Sequence, residues 1–327
     1  MRIDVHNHAI PKQALAVLAA DPVYRVTIDG DRWRGGNYAD FTIGAAFTDP
    51  WAKLDELDRW GIDAAVISAA PKPLFYYELG GGPGERICRA TNEGLADFCA
   101  SAPQRLRWMA HIPLQEPKRA IAVLDEARRG GAAGVLVGTS IAGRRLDEPA
   151  YEPVWTAIED TGLPVLLHPG YEHATPGLER WYLASTIGLP LEVTIATERL
   201  ICAGTLDRHP HVKIIVTLGG GFFPYQAGRL RQARKFRSEL AQAPSDPWKY
   251  VGQLIFDTNL HDPMSLRFLI DAAGPEHVVF GTDLPFGTAA PDPLGLLSGA
   301  VDGDRTLVTQ IAEYNPADLF NFEAART

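Results

Sequence analysis

Short apolar runs rich in β-branched residues alternate with amphipathic stretches along the whole chain. The runs fall at residues 2–6, 64–68, 106–112, 133–137, 164–168, 212–217, 253–257 and 277–282. Between them, residues 51–60, 85–100, 117–129, 151–160, 191–208, 225–240 and 263–273 repeat their apolar positions at helical spacing. Strands that alternate with helices imply βαβ units and a parallel sheet. The fifth, sixth and eighth runs (PVLLH, VKIIVT, HVVFGT) are near-continuously apolar, the pattern of strands covered on both faces. Eight such units over 327 residues predict an α/β fold, a distorted (β/α)8 TIM barrel. A doubly wound sheet is the competing architecture, because periodicity does not separate the two.

One segment breaks the alternation. Residues 24–33, YRVTIDGDRW, alternate around Asp29-Gly30, a strong short-range hairpin signal. They lie in a Gly- and Asp-rich insertion after the first strand, residues 12–47. The expected organisation is one barrel domain, 1–327, with 12–47 inserted as a small β-containing lid over the barrel mouth.

Composition narrows the function. The formal net charge of −9 argues against a nucleic-acid-binding surface. No apolar run approaches the ~18 residues of a membrane span, so no membrane partner is expected. The first residues, MRIDVHNHAIP, carry two His and an Asp where a signal peptide has its apolar core. Cys88, Cys99 and Cys202 are odd in number and lack CxxC spacing, so they read as reduced residues of a cytoplasmic protein. Glycine (31) and proline (25) together exceed the average share of roughly 12 %, as expected for many short connections.

The strongest chemical signal is Asp4-Val5-His6-Asn7-His8. Side chains alternate along a strand, so His6 and His8 project from one face. At the end of a barrel strand that face is the interior mouth. Two imidazoles held there by a rigid strand make half of a divalent-metal site. His168, in LLHPG, ends an apolar strand at the rim where barrel active sites are built. Asp283, in FGTDLPF, leaves the last strand, where a carboxylate can bind a metal and also move a proton. The four groups come from the ends of the first, fifth and eighth strands, and their convergence on one rim is the informative feature. His111, His173, His261 and Asp262 lie near that rim but read as structural or solvated. His209, His211 and His277 fall at the opposite end, where residues serve stability. Trp33, Phe41, Phe47 and Trp51, with aromatics after the second and fifth strands, read mostly as core or lid packing.

Several longer motifs make the chain familiar. They are DVHNHAIP, AHIPLQEPKRAI, LPVLLHPG, GLPLEVTIATERLICAGTLDRHP, LGGGFFPYQAGRL and LIFDTNLHDPMSLRFLIDAAGPEHVVFGTDLPFG. With these the sequence resembles the amidohydrolase superfamily, in the amidohydrolase-2 branch typified by α-amino-β-carboxymuconate-ε-semialdehyde decarboxylase. The resemblance implies one divalent metal per chain, zinc first and manganese second, held by His6, His8, His168 and Asp283. It implies non-oxidative decarboxylation of a small aromatic or enol-type carboxylic acid. Mononuclear metal-dependent hydrolysis or hydration of a small cyclic or unsaturated acid is the alternative, and a non-catalytic ligand-binding barrel the third reading. It further implies a homodimer in which Arg229 enters the neighbouring site to hold the substrate carboxylate. Lys53 stands where the family carries a second arginine, a point charge in place of a bidentate fork. Asn315 matches a family asparagine taken as structural.

One position departs from the pattern. The branch carries a histidine before the glycine run after the sixth strand. This chain reads Val216-Thr217-Leu218-Gly219-Gly220-Gly221, which puts Thr217 or Leu218 in that place. Neither moves a proton as imidazole does. The fourth strand ends Val137-Gly138-Thr139, with no lysine to bridge two metals, so a mononuclear site is expected. Decarboxylation needs one proton donor, Asp283, and no water nucleophile. Hydration or hydrolysis can also run on one carboxylate, so family frequency alone favours the lyase.

Overall fold

The computed structural model describes residues 1–36, 40–170 and 176–322. The chain opens with strand β1 (Ile3–Ala9), buried along its whole length. The insertion follows, with helix α1 (Lys12–Ala20) and the short strands β2 (Val26–Asp29), β3 (Arg32–Gly35) and β4 (Phe41–Thr42). These strands form a separate antiparallel sheet. Asp29 pairs with Arg32, so the hairpin turns at Gly30-Asp31, one residue later than the sequence pattern suggests. Helices α2 (Ala45–Thr48) and α3 (Pro50–Arg59) lead back to the barrel.

Seven further strands are parallel to β1: β5 (Ala64–Ala69), β6 (Leu106–His111), β7 (Gly134–Gly138), β8 (Val165–His168), β9 (Ile214–Val216), β10 (Leu254–Asp257) and β11 (Val278–Val279). Each pairs with its neighbour in chain order, as in a TIM barrel. Backbone bonds close the ring: Val5 N–H donates to the Phe280 carbonyl (3.0 Å) and His8 N–H to that of Leu284 (2.8 Å). Buried Asp4 reinforces the seam, accepting from the backbone N–H groups of His6 and Thr282 and from the Thr282 hydroxyl. A doubly wound sheet is thereby excluded.

The outer helices include α4 (Pro71–Leu74), α5 (Gly81–Ala100), α6 (Pro117–Arg129), α7 (Glu152–Thr161), α8 (Leu189–Cys202), α9 (Thr205–Arg208), α10 (Phe223–Ala233) and α11 (Pro263–Ala273). The amphipathic stretch 191–208 is two helices, because the chain reverses into a left-handed conformation at Gly204. The sixth strand is shorter than its apolar run, since the backbone turns into the glycine run after Val216. At the opposite end from the mouth, His209 is bracketed by Glu152 (2.9 Å) and Glu159 (3.3 Å), and Asn315 donates to the carbonyls of Pro275 and Val278. Both are structural, as expected. No helix among the described residues is long and apolar enough to cross a membrane.

Candidate metal centre and active site

β1 places His6 and His8 on the same face, β8 ends on His168, and Asp283 follows β11. One donor atom from each lies within 4.8 Å of the others. The three imidazole rings form a nearly equilateral triangle, with centroids 5.0, 4.9 and 5.1 Å apart. Asp283 Oδ1 sits 2.9 Å from His8 Nε2, 3.4 Å from His6 Nε2 and 4.0 Å from His168 Nε2. Gly281 is required for this approach: a Cβ there would lie 2.8 Å from the His6 Cβ. Asp283 is itself pinned, its N–H donating to the His6 carbonyl at 2.7 Å.

Each imidazole is turned by a partner on its other nitrogen. His6 Nδ1–H donates to Asp257 Oδ2 (2.6 Å), His8 Nδ1–H to Ser68 Oγ (2.9 Å), and His168 Nδ1–H to the Pro169 carbonyl (2.8 Å). All three Nε2 lone pairs therefore point at Asp283. The Nε2 atoms of His6 and His168 are buried with no hydrogen-bond partner. Buried polar atoms without partners are rare and call for a missing ligand. Three imidazoles and one carboxylate fit a divalent cation.

The electrostatics agree. Burial lowers His8 to about 3 and lowers His168 as well, so both stay neutral lone-pair donors at neutral pH. Burial would raise the Asp283 carboxyl, but the imidazoles of His168, His8 and His6 that face it hold it well below the usual carboxylate range. Burial also opposes charge on His6, yet Asp257 and Asp283 outweigh it and raise its pKa. The centre thus favours positive charge, which a divalent cation supplies.

Asp257 and Ser68 were not legible as site residues in the sequence, because the partners of a buried ring nitrogen lie far away in the chain. Asp257 also accepts from the backbone N–H groups of Gly219 (2.7 Å) and Asn259 (3.3 Å). An asparagine, with one acceptor oxygen, cannot serve both the imidazole N–H and the two backbone donors that Asp257 serves with two. Asp257→Asn should therefore weaken metal affinity about 10- to 100-fold, measured by competition with a chelator. Unchanged affinity would show that His6 needs no such support.

The metal centre opens into a cavity of about 1030 Å³, lined by the ends of β8–β11 and by α4, α8, α10 and α11. Leu218 lines this cavity, whereas the buried Thr217 hydroxyl is spent on the Leu167 carbonyl (2.9 Å). The position before the glycines thus faces the cavity with a hydrocarbon. Asp283 is the one carboxylate, and Lys72 the one lysine or arginine, among the described residues lining it. Half-buried Lys72 has a lowered pKa because burial disfavours its charge. The sequence reading passed over Lys72, which sits one turn beyond the rim of β5.

Other expected residues fall elsewhere. Lys53 does not line the cavity: its ammonium is fully buried and paired with Glu56 at 3.1 Å, so its charge is spent within the fold. Arg229 lies exposed on α10, outside this chain's own cavity. His261 lines the cavity from an exposed position, and Asp262 caps α11 by accepting from Ser265 N–H. His111 is buried beside Phe75, away from the cavity lining, and His173 falls outside the described residues. Aromatic contacts run from the insertion to the metal centre: Trp33 to Phe41, Phe41 to Phe47, Phe47 to Phe286, and Phe286 to His8. Trp51 takes no part and is exposed. At Gly138 a Cβ would lie 2.7 Å from Tyr77, so no lysine fits there to bridge a second metal.

A closed parallel barrel with this donor set at one rim defines a metal-dependent amidohydrolase-type enzyme. The chain belongs to the amidohydrolase family, in its amidohydrolase-2 branch, matching the family described as Amidohydrolase over residues 3–322. It is 26 % identical over 324 residues to 2-amino-3-carboxymuconate-6-semialdehyde decarboxylase of Dictyostelium discoideum, covering 91 % of this chain and 83 % of that one. It is 30 % identical over 295 residues to gamma-resorcylate decarboxylase of Rhizobium sp. (strain MTP-10005), covering 84 % and 87 %. Dihydroxybenzoic acid decarboxylase from Polaromonas sp. JS666, solved with bound manganese and the inhibitor 2-nitroresorcinol, has the same fold. Its TM-score is 0.77 at 21 % identity, covering 99 % of this chain and 98 % of that one.

Proposed function

We propose that this enzyme is a metal-dependent non-oxidative decarboxylase of a small aromatic or enol-type carboxylic acid. The observation that carries the reading is Asp283, a donor of the metal site and the one carboxylate among the described residues lining the cavity, in a chain similar to decarboxylases over most of its length. That likeness, and not the number of carboxylates, favours decarboxylation over hydrolysis.

His6, His8, His168 and Asp283 hold the cation. We assign zinc, which suits three imidazoles and a carboxylate. Manganese, present in the Polaromonas decarboxylase, is the competing occupant. Once bound, the cation stabilises the negative charge that develops on substrate oxygens. The substrate lies between Leu218 and Phe286, whose apolar faces suit a planar ring. Lys72 supplies positive charge from this chain's own wall. Asp283, ionised in the free protein, takes the hydroxyl or enol proton of the entering substrate and passes it to the carbon that bears the carboxylate. The carbon–carbon bond then breaks, its electron pair stays with the ring, and CO2 leaves. The product oxygen recovers a proton from water as it departs, and Asp283 is again ionised.

We further propose a homodimer in which Arg229 reaches the partner's cavity and binds the substrate carboxylate. Met264, Trp181 and Tyr225, with relative exposures of 82, 78 and 76 %, leave bulky apolar surface uncovered around the mouth. Such surface favours a protein partner. The 12–47 segment is read as a lid on one barrel domain. Cys88, Cys99 and Cys202 are unpaired, which suits the cytoplasm. A panel of hydroxybenzoates and muconate-type acids tests the activity. CO2 release from at least one acid is expected, and a panel that yields only lactone or amide hydrolysis would overturn the proposal.

A further inference from the structure

Asn259 follows β10 and lines the cavity beside Leu218, Gly219 and Leu260. The residue is only 6 % exposed, and its side-chain Nδ2 is buried without a hydrogen-bond partner. Its backbone is fixed by Asp257, whose Oδ1 accepts its N–H while Oδ2 holds His6. One carboxylate therefore holds both a metal ligand and the backbone from which this side chain rises. A donor that is buried, unpartnered and rigidly placed in a cavity wall is preorganised for an acceptor on a ligand. The side chains of its neighbours Leu218 and Leu260 offer no acceptor. An occupant of the cavity can supply one.

We propose that Asn259 Nδ2 donates to an oxygen substituent of the bound acid, beyond the oxygens that reach the metal, and so selects hydroxylated substrates. This rests on the acid-binding reading above. A site that aligns a buried donor with a substrate hydroxyl disfavours the analogue lacking it, because the donor then stays unpaired.

The test is calorimetric binding of 2,6-dihydroxybenzoate and 2-hydroxybenzoate to manganese-loaded protein, wild type and variants. The two acids differ by one hydroxyl. Wild type should prefer the dihydroxy acid about 10- to 100-fold. In Asn259→Ala and Asn259→Leu that preference should fall to about one, with affinity for 2-hydroxybenzoate little changed. Two variants of different size separate a lost donor from a misshapen wall. An unchanged preference in either folded variant overturns the assignment, as does equal weakening for both acids. Wild type that binds both acids equally refutes the role of Asn259 but leaves the decarboxylase reading intact. Wild type that neither binds nor decarboxylates any acid of the panel overturns both.

Discussion

Replacing His168 by alanine should yield a folded protein that no longer holds its metal. Wild type should carry about one divalent ion per chain and the variant close to none. CO2 release should fall with the metal. His168 supplies one of only four donors, and its Nε2 is one of two nitrogens in that set that are buried with no hydrogen-bond partner. Its Nδ1 contacts only the adjacent Pro169 carbonyl, so the truncation strands no distant partner. The side chain sits at the cavity wall, and the loss should spare the core. Metal bound only to the folded state adds stability by mass action. A chelator should therefore lower the melting temperature of wild type and leave that of His168→Ala unchanged. Elemental analysis of the purified proteins decides the point. Retained one-to-one stoichiometry in the variant would remove His168 from the ligand set.

The four donors were legible in the sequence because each is marked by local pattern. His6 and His8 share a face through strand periodicity, while His168 and Asp283 each end an apolar run. What holds them was not legible. Asp257 meets His6 across 251 residues, and no local rule pairs them. The choice between Thr217 and Leu218 required the backbone, since the strand end turns the threonine hydroxyl onto Leu167 and Leu218 into the cavity. Lys53 shows the limit of resemblance. The resemblance implies a substrate-binding cation at its position, but its buried ammonium pairs with Glu56. Asn259 and Lys72 were overlooked for the converse reason. Neither belongs to a metal-ligand pattern, and only the closed barrel places them on the cavity wall. Local periodicity reports which face a residue occupies, whereas the contents of a cavity depend on contacts between distant strands.

Asp283→Asn should separate metal binding from proton transfer. The amide keeps an oxygen that can face the cation but has no carboxyl proton to give. Part of the metal should therefore remain, while kcat falls by a factor on the order of 10³, the scale expected for loss of an acid–base group. Metal content and kcat must be measured on the same preparation, because a proportional fall in both would assign Asp283 to metal binding alone. The same variant tests the dimer. Arg229→Ala should be nearly inactive if Arg229 serves the neighbouring cavity. In a mixed dimer of the two variants, the cavity of the Arg229→Ala chain keeps its own Asp283 and receives Arg229 from its partner. The other cavity lacks both groups. Random exchange of equal amounts should then restore about one quarter of wild-type activity, since half the dimers are mixed and each has one intact site. Recovery cannot arise if Arg229 acts within its own chain, because each cavity would then carry one defect whatever its partner. Absence of recovery after proven subunit exchange would therefore refute the shared site, whatever the fate of the decarboxylase assignment.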